Sequence, residues 1–288
     1  MFAAKCKADI TLLSGISDEF TVMTVSPRPL PWRSLVGGVL ALLFPPRCHA
    51  CRIARPSHPD RQLCPHCLDR VMSYSGPYCR CCGRSLATGP GLAERLCGDC
   101  LRTPPPFDSA RSPLCYGPPV STLLHRLKFH GDTAAARVLA GLGSSEPLSC
   151  DLIIPVPLHR SRLQSRGLNQ SLVLARRFFP AERDKIVVDL LVRQKKTIPQ
   201  TGLDGNQRRR NLKGAFAVAR PGAVLGRTVL VVDDVFTTGT TLAECSRTLK
   251  AAGAAQVHVW TVARVDEVSR SVRPDDVPTG KTAGERTE

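Results

Sequence analysis

Residues 229–241, which read Val-Leu-Val-Val-Asp-Asp-Val-Phe-Thr-Thr-Gly-Thr-Thr, constrain the fold of this chain more than any other segment. The four apolar residues predict a buried strand. Two adjacent carboxylates follow, and a run of hydroxyl side chains with one glycine then opens a helix. In an open α/β sheet, ligands bind where strands end and helices begin. The segment therefore predicts an α/β fold with a ligand site at this junction.

The residues of the junction suit a phosphorylated sugar. The unpaired N–H groups and the dipole of a helix N-terminus attract a phosphate, and a glycine lets the ligand approach the backbone closely. Adjacent carboxylates suit sugar hydroxyls or a metal-bridged diphosphate. We predict Asp233 and Asp234 as the catalytic pair. The predicted phosphate-binding loop consists of Thr237, Thr238, Gly239, Thr240 and Thr241. A plain acidic turn before a capped helix is the alternative, and the ordered pattern favours the site.

Eight of the thirteen cysteines fall in four C-x-x-C pairs between residues 48 and 100. In a cytosolic chain this spacing predicts structural zinc rather than disulfides, and two pairs complete one tetrahedral site. We expect two Zn²⁺ ions, held by Cys48, Cys51, Cys64, Cys67, Cys79, Cys82, Cys97 and Cys100. Sequential grouping is the natural choice, and interleaved pairing stays open. Cys81 competes with Cys82, which Gly83 favours because a glycine suits the turn that follows.

Four segments are expected along the chain. Residues 1–30 predict a disordered extension, and residues 31–103 predict a lead-in helix and a double zinc ribbon. Residues 107–266 predict the larger α/β domain, and residues 267–288 predict a disordered tail.

The α/β assignment of the larger domain rests on alternating patterns. Apolar runs predict strands at residues 151–157, 186–192, 229–232 and 256–263. Helical periodicity predicts helices at residues 120–129, 133–142 and 241–252, and another that opens near Gly167 and is stopped by Pro180.

Positive charge dominates the chain. Forty Lys and Arg against 24 Asp and Glu give a formal net charge of +16, which favours nucleic acid, nucleotides or phosphosugars as partners. No apolar run is long enough to span a bilayer, so we expect a cytoplasmic protein without a membrane span.

Two basic regions are candidates for anion binding. The turn after the strand at 151–157 is a second phosphate site candidate, formed by Pro157, Leu158, His159, Arg160 and Arg166. The region between 193 and 213 is a candidate lid or nucleic-acid contact, and it contains Arg208, Arg209 and Arg210. Solvated charged surface is the alternative for both regions.

Several segments, taken in order, resemble the signatures of the ComF family, and 229–241 resembles the phosphoribosyl-diphosphate (PRPP) motif of type I phosphoribosyltransferases. The ComF-like segments are Leu127-Lys128-Phe129-His130-Gly131-Asp132, Pro155-Val156-Pro157-Leu158-His159, Arg166-Gly167-Leu168-Asn169-Gln170, Thr197-Ile198-Pro199-Gln200-Thr201-Gly202-Leu203 and Arg209-Arg210-Asn211-Leu212-Lys213-Gly214-Ala215-Phe216. One departure is Leu168, where the family usually has Phe.

The resemblance implies a type I phosphoribosyltransferase-like domain, a parallel sheet flanked by helices, behind an N-terminal double zinc ribbon. It implies that the acidic pair holds the ribose hydroxyls of PRPP, bound with Mg²⁺, and that the threonine loop holds the 5-phosphate. The turn at 157–160 then holds the diphosphate, and residues 194–211 form the flexible loop.

Members of the ComF family are linked to natural competence and to the use of DNA as a nutrient. The resemblance therefore implies a PRPP-binding role in DNA uptake or utilisation. Its implied partners are single-stranded DNA and a DNA helicase or uptake protein. Two alternatives stay open. One is an active phosphoribosyltransferase on an unknown acceptor, and the other is a zinc-ribbon adaptor with a vestigial pocket.

Overall fold

The structure of the protein is a computed structural model that describes residues 47–53, 62–74, 77–86, 96–143, 149–195 and 205–265. The side chains of residues 205, 206, 208 and 209 lie outside this description. The predictions for residues 1–30, for the lead-in helix that follows them and for the tail at 267–288 also fall outside it.

A parallel sheet forms the centre of the described chain. The described strands are β1 (Ser109–Arg111), β2 (Leu114–Cys115), β3 (Leu152–Pro155), β4 (Leu191–Arg193), β5 (Phe216–Val218), β6 (Thr228–Phe236) and β7 (Gln256–Arg264). The order across the main sheet is β1-β7-β6-β3, and β2 also pairs with β7. Strands β4 and β5 form a separate antiparallel pair. Among the described residues, no helix has the length and apolar character needed to cross a bilayer.

Helices cover both faces of the sheet. The described helices are α1 (Pro65–Asp69), α2 (Gly98–Arg102), α3 (Val120–His130), α4 (Thr133–Leu142), α5 (Arg160–Arg166), α6 (Gln170–Phe178), α7 (Gly205–Leu212) and α8 (Thr240–Ala251). The predicted helices in α3, α4, α6 and α8 are confirmed to within a few residues. Their termini follow local chemistry: Gly131 ends α3 in the left-handed conformation, and the Asp132 carboxylate caps α4 by accepting from the N–H groups of Ala134 and Ala135.

The alternation of side chains along β6 separates two cores. Leu230 and Val232 face the core beneath α3, α4 and α6. Val229 and Val231 face the opposite core, which contains α8 and the β4–β5 pair. A strand buried on both faces reads as a continuous apolar run, which is the pattern that the sequence carries.

The cysteine-rich segments pack into these same cores. Cys48, Cys64 and Cys67 belong to the first core, and Cys79, Cys82, Cys97 and Cys100 belong to the second. The turn at Gly83 lies so close to β1 that a Cβ there would stand 2.4 Å from the carbonyl oxygen of Ala110. The zinc module is therefore part of the compact unit that holds the sheet.

Two sequence predictions differ from the structure. The run at 186–192 does not form a full strand of the main sheet: Ile186 makes one isolated bridge to Ile153, and β4 begins only at Leu191. β4 pairs with β5, a segment distant in sequence. An apolar run does not reveal which distant strand it will pair with, so the sequence did not predict this pair. The strand predicted at 229–232 continues to Phe236, so the acidic pair lies within β6.

Two basic segments predicted as a turn and a loop are helical. Arg160, Arg162 and Arg166 lie on α5, and residues 208–210 lie on α7. A helix prediction depends on apolar periodicity, and α5 lacks it because this helix carries no buried residue. The segment of α7 is dominated by polar and charged residues. The remainder of the predicted flexible loop, residues 196–204, lies outside the described residues.

Because the thiolates lie in the main cores, we expect Cys79→Ser to destabilise the whole described unit. Loss of one zinc ligand lowers the free energy of unfolding by about 3 kcal/mol or more, a fall in melting temperature of about 10 °C. Scanning calorimetry should show one cooperative transition at the lower temperature. Cys81→Ser is the matched control, because its sulfur lies outside both cysteine groups. An unchanged upper transition in Cys79→Ser would show that the zinc module unfolds independently.

Candidate functional site

Eight of the described cysteines form two groups of four. Within each group the four sulfur atoms lie within 4.8 Å of one another: one group is Cys48, Cys51, Cys64 and Cys67, and the other is Cys79, Cys82, Cys97 and Cys100. The structure thus groups the pairs sequentially. It includes Cys82 rather than Cys81, whose sulfur contacts the carbonyl oxygen of Phe107 at 3.8 Å.

The geometry of both groups fits Zn²⁺. A tetrahedron with Zn–S bonds of about 2.3 Å places its sulfurs about 3.8 Å apart. The Sγ atoms of Cys51 and Cys64 are 3.8 Å apart, and those of Cys82 and Cys97 are 3.6 Å apart. The Cys79 sulfur also accepts backbone N–H groups from Cys82 and Cys97, at 3.5 and 3.3 Å. Such N–H···S bonds stabilise thiolate charge and orient the ligand.

A cleft of about 610 Å³ opens at the carboxyl end of β6 and β3. Its walls combine carboxylates, hydroxyls and cations with a few apolar side chains. The residues that line it are Lys128, Phe129, Val156, Leu158, Arg162, Ser165, Arg166, Gln170, Ser171, Arg193, Asp233, Asp234, Val235, Thr237, Thr238, Gly239, Thr240, Thr241 and Leu242. The structure therefore brings the predicted acidic pair, the whole threonine loop, Leu158 and Arg166 to one cavity.

The acidic pair is held in a defined orientation. The Asp233 Oδ1 atom accepts the hydroxyl of Ser171 at 2.8 Å and the backbone N–H of Asp234 at 2.9 Å. The Asp234 Oδ2 atom lies 3.6 Å from the ammonium nitrogen of Lys128. Ser171 and Lys128 come from α6 and α3, so two helices fix the carboxylates at the strand end.

Burial and the neighbouring carboxylate of Asp234 raise the pKa of Asp233 to about 7. The Ser171 hydroxyl and the Asp234 backbone N–H oppose the shift but do not cancel it. A carboxyl group whose pKa is strongly raised, beside a second carboxylate in a cleft, is typical of a functional site.

The threonine loop presents the start of a helix to the cleft. Gly239, which has no side chain with which to cap the helix, precedes α8 with a φ of 70°. The start of α8 lies on the cleft wall, and a helix N-terminus in a cleft is the usual arrangement for a phosphate. The Thr238 and Thr240 hydroxyl oxygens are 2.8 Å apart and present further donors beside these groups.

Cations gather on the opposite wall. Arg162 and Arg166 come from α5, and Arg193 comes from β4. Burial is the main cause that lowers the pKa of Arg166 and of Arg193, and the nearby charge of Arg162 lowers both further. Like charges held at close range favour an anionic occupant that neutralises them.

The structure does not bring every predicted residue to the cleft wall. Pro157, His159 and Arg160 are not among the residues that line it. His159 instead caps α5, where its Nδ1 atom lies 3.3 Å from the backbone nitrogen of Ser161. A role of these residues in diphosphate binding stays a prediction, as does a role of Arg208, Arg209 and Arg210.

The sequence alone assigned no site role to Lys128, Phe129 or Ser171, although the first two lie within a motif, and it placed Arg193 only in the candidate lid region. Phe129 is 56% exposed at the cleft, and its ring centroid lies 5.4 Å from the Arg166 guanidinium carbon. An exposed aromatic residue at the end of a helix predicted to be amphipathic is the signal that could have identified it.

Comparisons with known proteins agree with this organisation. A family described as "Double zinc ribbon domain" matches residues 39–101, and one described as "Phosphoribosyl transferase domain" matches residues 166–280. The DNA utilization protein YhgH of Escherichia coli is 35% identical over 75% of this chain and 89% of its own length. Competence protein F of Haemophilus influenzae is 34% identical over 70% of this chain and 90% of its own.

Among solved structures, a purine phosphoribosyltransferase from Pyrococcus horikoshii matches 51% of this chain and 83% of its own. Its sequence identity is 18% and its TM-score is 0.25, which is too low to support the fold by itself.

Asp233→Asn should change how stability depends on pH. The pKa of Asp233 is about 7 in the fold and 3.8 as a free side chain, so between these values the folded state binds more protons than the unfolded state. Stability of the wild type therefore falls as pH rises from about 4 to 7, whereas the amide does not titrate.

The stability advantage of Asp233→Asn over the wild type should grow by roughly 3 kcal/mol between about pH 5 and pH 8. Denaturant unfolding of the ligand-free proteins at both pH values measures it. Asp189→Asn, at an exposed position, is the control. An advantage that does not change with pH would show that Asp233 ionises normally.

Proposed function

The chain belongs to the ComF family, and from this premise we propose that its phosphoribosyltransferase-like domain binds PRPP with Mg²⁺ and acts in the uptake or use of DNA. The single observation that carries the proposal is the cleft in which two adjacent carboxylates, the N-terminus of α8 with its threonine loop, and three arginines meet. The relatives named for competence and for DNA utilization give the biological role.

Each part of PRPP has a counterpart on the cleft wall. The carboxylates of Asp233 and Asp234 accept hydrogen bonds from the ribose hydroxyls. The 5-phosphate takes the N–H groups at the start of α8 and the threonine hydroxyls. The diphosphate lies toward Arg162 and Arg166, whose planar guanidinium groups suit phosphate oxygens.

The donor set also suits Mg²⁺. This ion is usually bound by one or two carboxylates together with substrate phosphates and water, and the acidic pair supplies the carboxylates beside the diphosphate position. When bound, Mg²⁺ neutralises diphosphate charge. The chain's own residues do the remaining work: they orient the ribose, hold the phosphates and exclude water.

A transferase activity is the second candidate function, and the cleft favours it through its exposed aromatic residue. Phe129 offers a flat surface beside the ribose position, on which a planar acceptor can stack. Departure of diphosphate is stabilised by Arg162 and Arg166, and no side chain has to act as a nucleophile. Release of diphosphate from PRPP across a panel of bases, amines and oligonucleotides separates turnover from binding alone.

Replacing the acidic pair should abolish PRPP binding while the fold survives. Asp233→Ala with Asp234→Ala removes the acceptors of the ribose hydroxyls, and we expect the affinity to fall at least about 100-fold. The substitution also makes the cleft more positive, so a loss cannot come from weaker general attraction of an anion. Calorimetric titration with PRPP and Mg²⁺ measures it, and circular dichroism checks the fold. Asp189→Ala is the control, because Asp189 is exposed and ion-paired with Arg220 outside the cleft. Equal affinity in wild type and double variant would place the site elsewhere.

The basic helix α7 is the proposed contact for single-stranded DNA. It packs against α8, the helix that begins at the threonine loop, and Arg210 on it is exposed. The net charge of +16 supports an electrostatic, sequence-independent mode of binding. A DNA helicase or an uptake protein is the proposed protein partner.

Reversal of the three arginines on α7 to glutamate should weaken DNA binding and reduce its salt dependence. Each lost phosphate contact lowers the slope of log affinity against log salt by about 0.7, so loss of all three lowers it by about two units. Fluorescence anisotropy of a labelled oligonucleotide at several salt concentrations measures the slope. The matched control reverses Arg176, Arg177 and Arg183, which are exposed elsewhere and change the net charge equally. If both triple variants lose affinity equally, α7 is not the contact.

A further inference from the structure

Arg264 lies between the second cysteine group, Cys79, Cys82, Cys97 and Cys100, and the loop at 237–241. It is the last residue of β7, and only 5% of it is exposed. We propose that Arg264 is a positioning residue that ties the phosphate-binding loop to the second zinc group. This inference rests on the proposed function in one respect, that the loop binds a phosphate.

The guanidinium of Arg264 is directed at the cysteine group. Its Nη1 atom donates to the carbonyl oxygen of Cys82 at 2.5 Å, and its Nη2 atom lies 3.9 Å from the Cys82 sulfur. None of the ion pairs between described residues joins Arg264 to a carboxylate. A buried cation is costly without an anionic partner. Zinc with four thiolates carries a net charge of about −2, so the zinc group is the counter-charge of Arg264.

The Arg264 guanidinium also contacts Phe236, the residue that precedes the loop at 237–241. The Arg264 guanidinium carbon lies 4.1 Å from the centroid of the Phe236 ring, within cation–π distance. The ring of Phe107 packs edge-on against Phe236, with centroids 6.1 Å apart. The ring is therefore held from two sides.

Phe236 in turn supports the loop backbone. The ring lies so close to Gly239 that a Cβ there would stand 2.6 Å from a ring carbon. Gly239 is the residue from which α8 begins, and the N–H groups of that first turn are the proposed phosphate donors. The position of Gly239 sets the direction of these N–H groups, and Gly239 packs against the Phe236 ring. A continuous line of contacts thus runs from the Cys82 carbonyl through Arg264 and Phe236 to the loop.

An arginine at this position does more than fill space. An apolar side chain of similar volume would pack the same gap without the cost of burying a charge. The Arg264 guanidinium finds its counter-charge at the zinc group, and from the same position it contacts the Phe236 ring. The arrangement fixes both ends of the contact, which is what a preorganised anion site requires.

The first test measures the loop in the ligand-free protein. Arg264→Met keeps an unbranched apolar stem, is shorter than arginine, and removes the guanidinium charge. We expect amide hydrogen exchange in residues 243–246, which begin with the Ala243 N–H that donates to the Gly239 carbonyl, to become about tenfold faster, as expected for the loss of one buried cation–π contact. Arg264→Lys, which keeps the charge, should restore part of the protection. Arg220→Met, at an exposed arginine, is the control and should leave the loop unchanged.

The second test separates the loop from the rest of the cleft. Ribose 5-phosphate probes the threonine loop, whereas inorganic diphosphate with Mg²⁺ probes the arginine wall. In Arg264→Met the affinity for ribose 5-phosphate should fall about tenfold and the affinity for diphosphate should stay within about twofold. Zinc content, measured by elemental analysis, should remain that of the wild type. Phe236→Leu should reproduce the selective loss if Arg264→Met does not fold.

Unchanged exchange in residues 243–246, an equal loss for both ligands, or loss of zinc would each overturn the proposal, because Arg264 would then serve only the general fold. Failure of the proposed function has a different signature. If the wild type binds neither probe, the loop is not a phosphate site, yet faster exchange in Arg264→Met still supports the link to the zinc group.

Discussion

Tetrahedral coordination of zinc by two groups of four thiolates is the constraint on which the rest of the structure depends. Each group gathers segments that carry few large apolar side chains and that could not form a core alone. Once gathered, the first group completes the core on one face of the sheet and the second completes the core on the other. The module is thereby joined to the edge of the sheet at β1 and β2, where Ser73 bridges to Leu114 and the N–H of Ala110 donates to the carbonyl of Cys81.

The joining has a chemical consequence at the cleft. Arg126 on α3 donates to the carbonyl of His49 in the first cysteine pair and pairs with Asp132, which caps α4. α3 also carries Lys128, the cation beside Asp234. Each cysteine group is therefore bonded through an arginine to an element that reaches the cleft, the first through Arg126 to α3 and the second through Arg264 to β7 and Phe236. In the arrangement that we propose, the double zinc ribbon supports the ligand site, in addition to any surface that it offers to partners.

The cleft itself gathers two carboxylates, one lysine and three arginines in a single cavity. Burial raises the pKa of Asp233 to about 7, while three arginines are held together across the cavity. The acidic pair is held by β6, a strand buried on both faces, and by its contacts with Ser171 and Lys128. Preorganised groups of this kind favour a ligand that is both polyanionic and rich in hydroxyls, and they lose little free energy to rearrangement when it binds.

The sequence by itself determined the local chemistry. The run at 229–241 predicted its strand, acidic pair, threonine loop and helix because each of these depends on neighbouring residues alone. The C-x-x-C spacing predicted the zinc ligands for the same reason, since a knuckle closes over two intervening residues. The helices α3, α4, α6 and α8 also followed from periodicity and from end signals such as Gly167 and Pro180.

Only the tertiary structure decided which of these parts meet. Lys128, Ser171 and Arg193 come from three separate elements, and no local pattern says that their side chains converge on one cavity. The end of the run at 186–192 pairs outside the main sheet, with a strand more than twenty residues further along the chain. Arg264 carries no motif, and its contacts with Cys82 and Phe236 join residues far apart in the chain. Long-range packing selects among locally acceptable arrangements, and that choice depends on the shape of the whole core, which a single stretch of sequence does not contain.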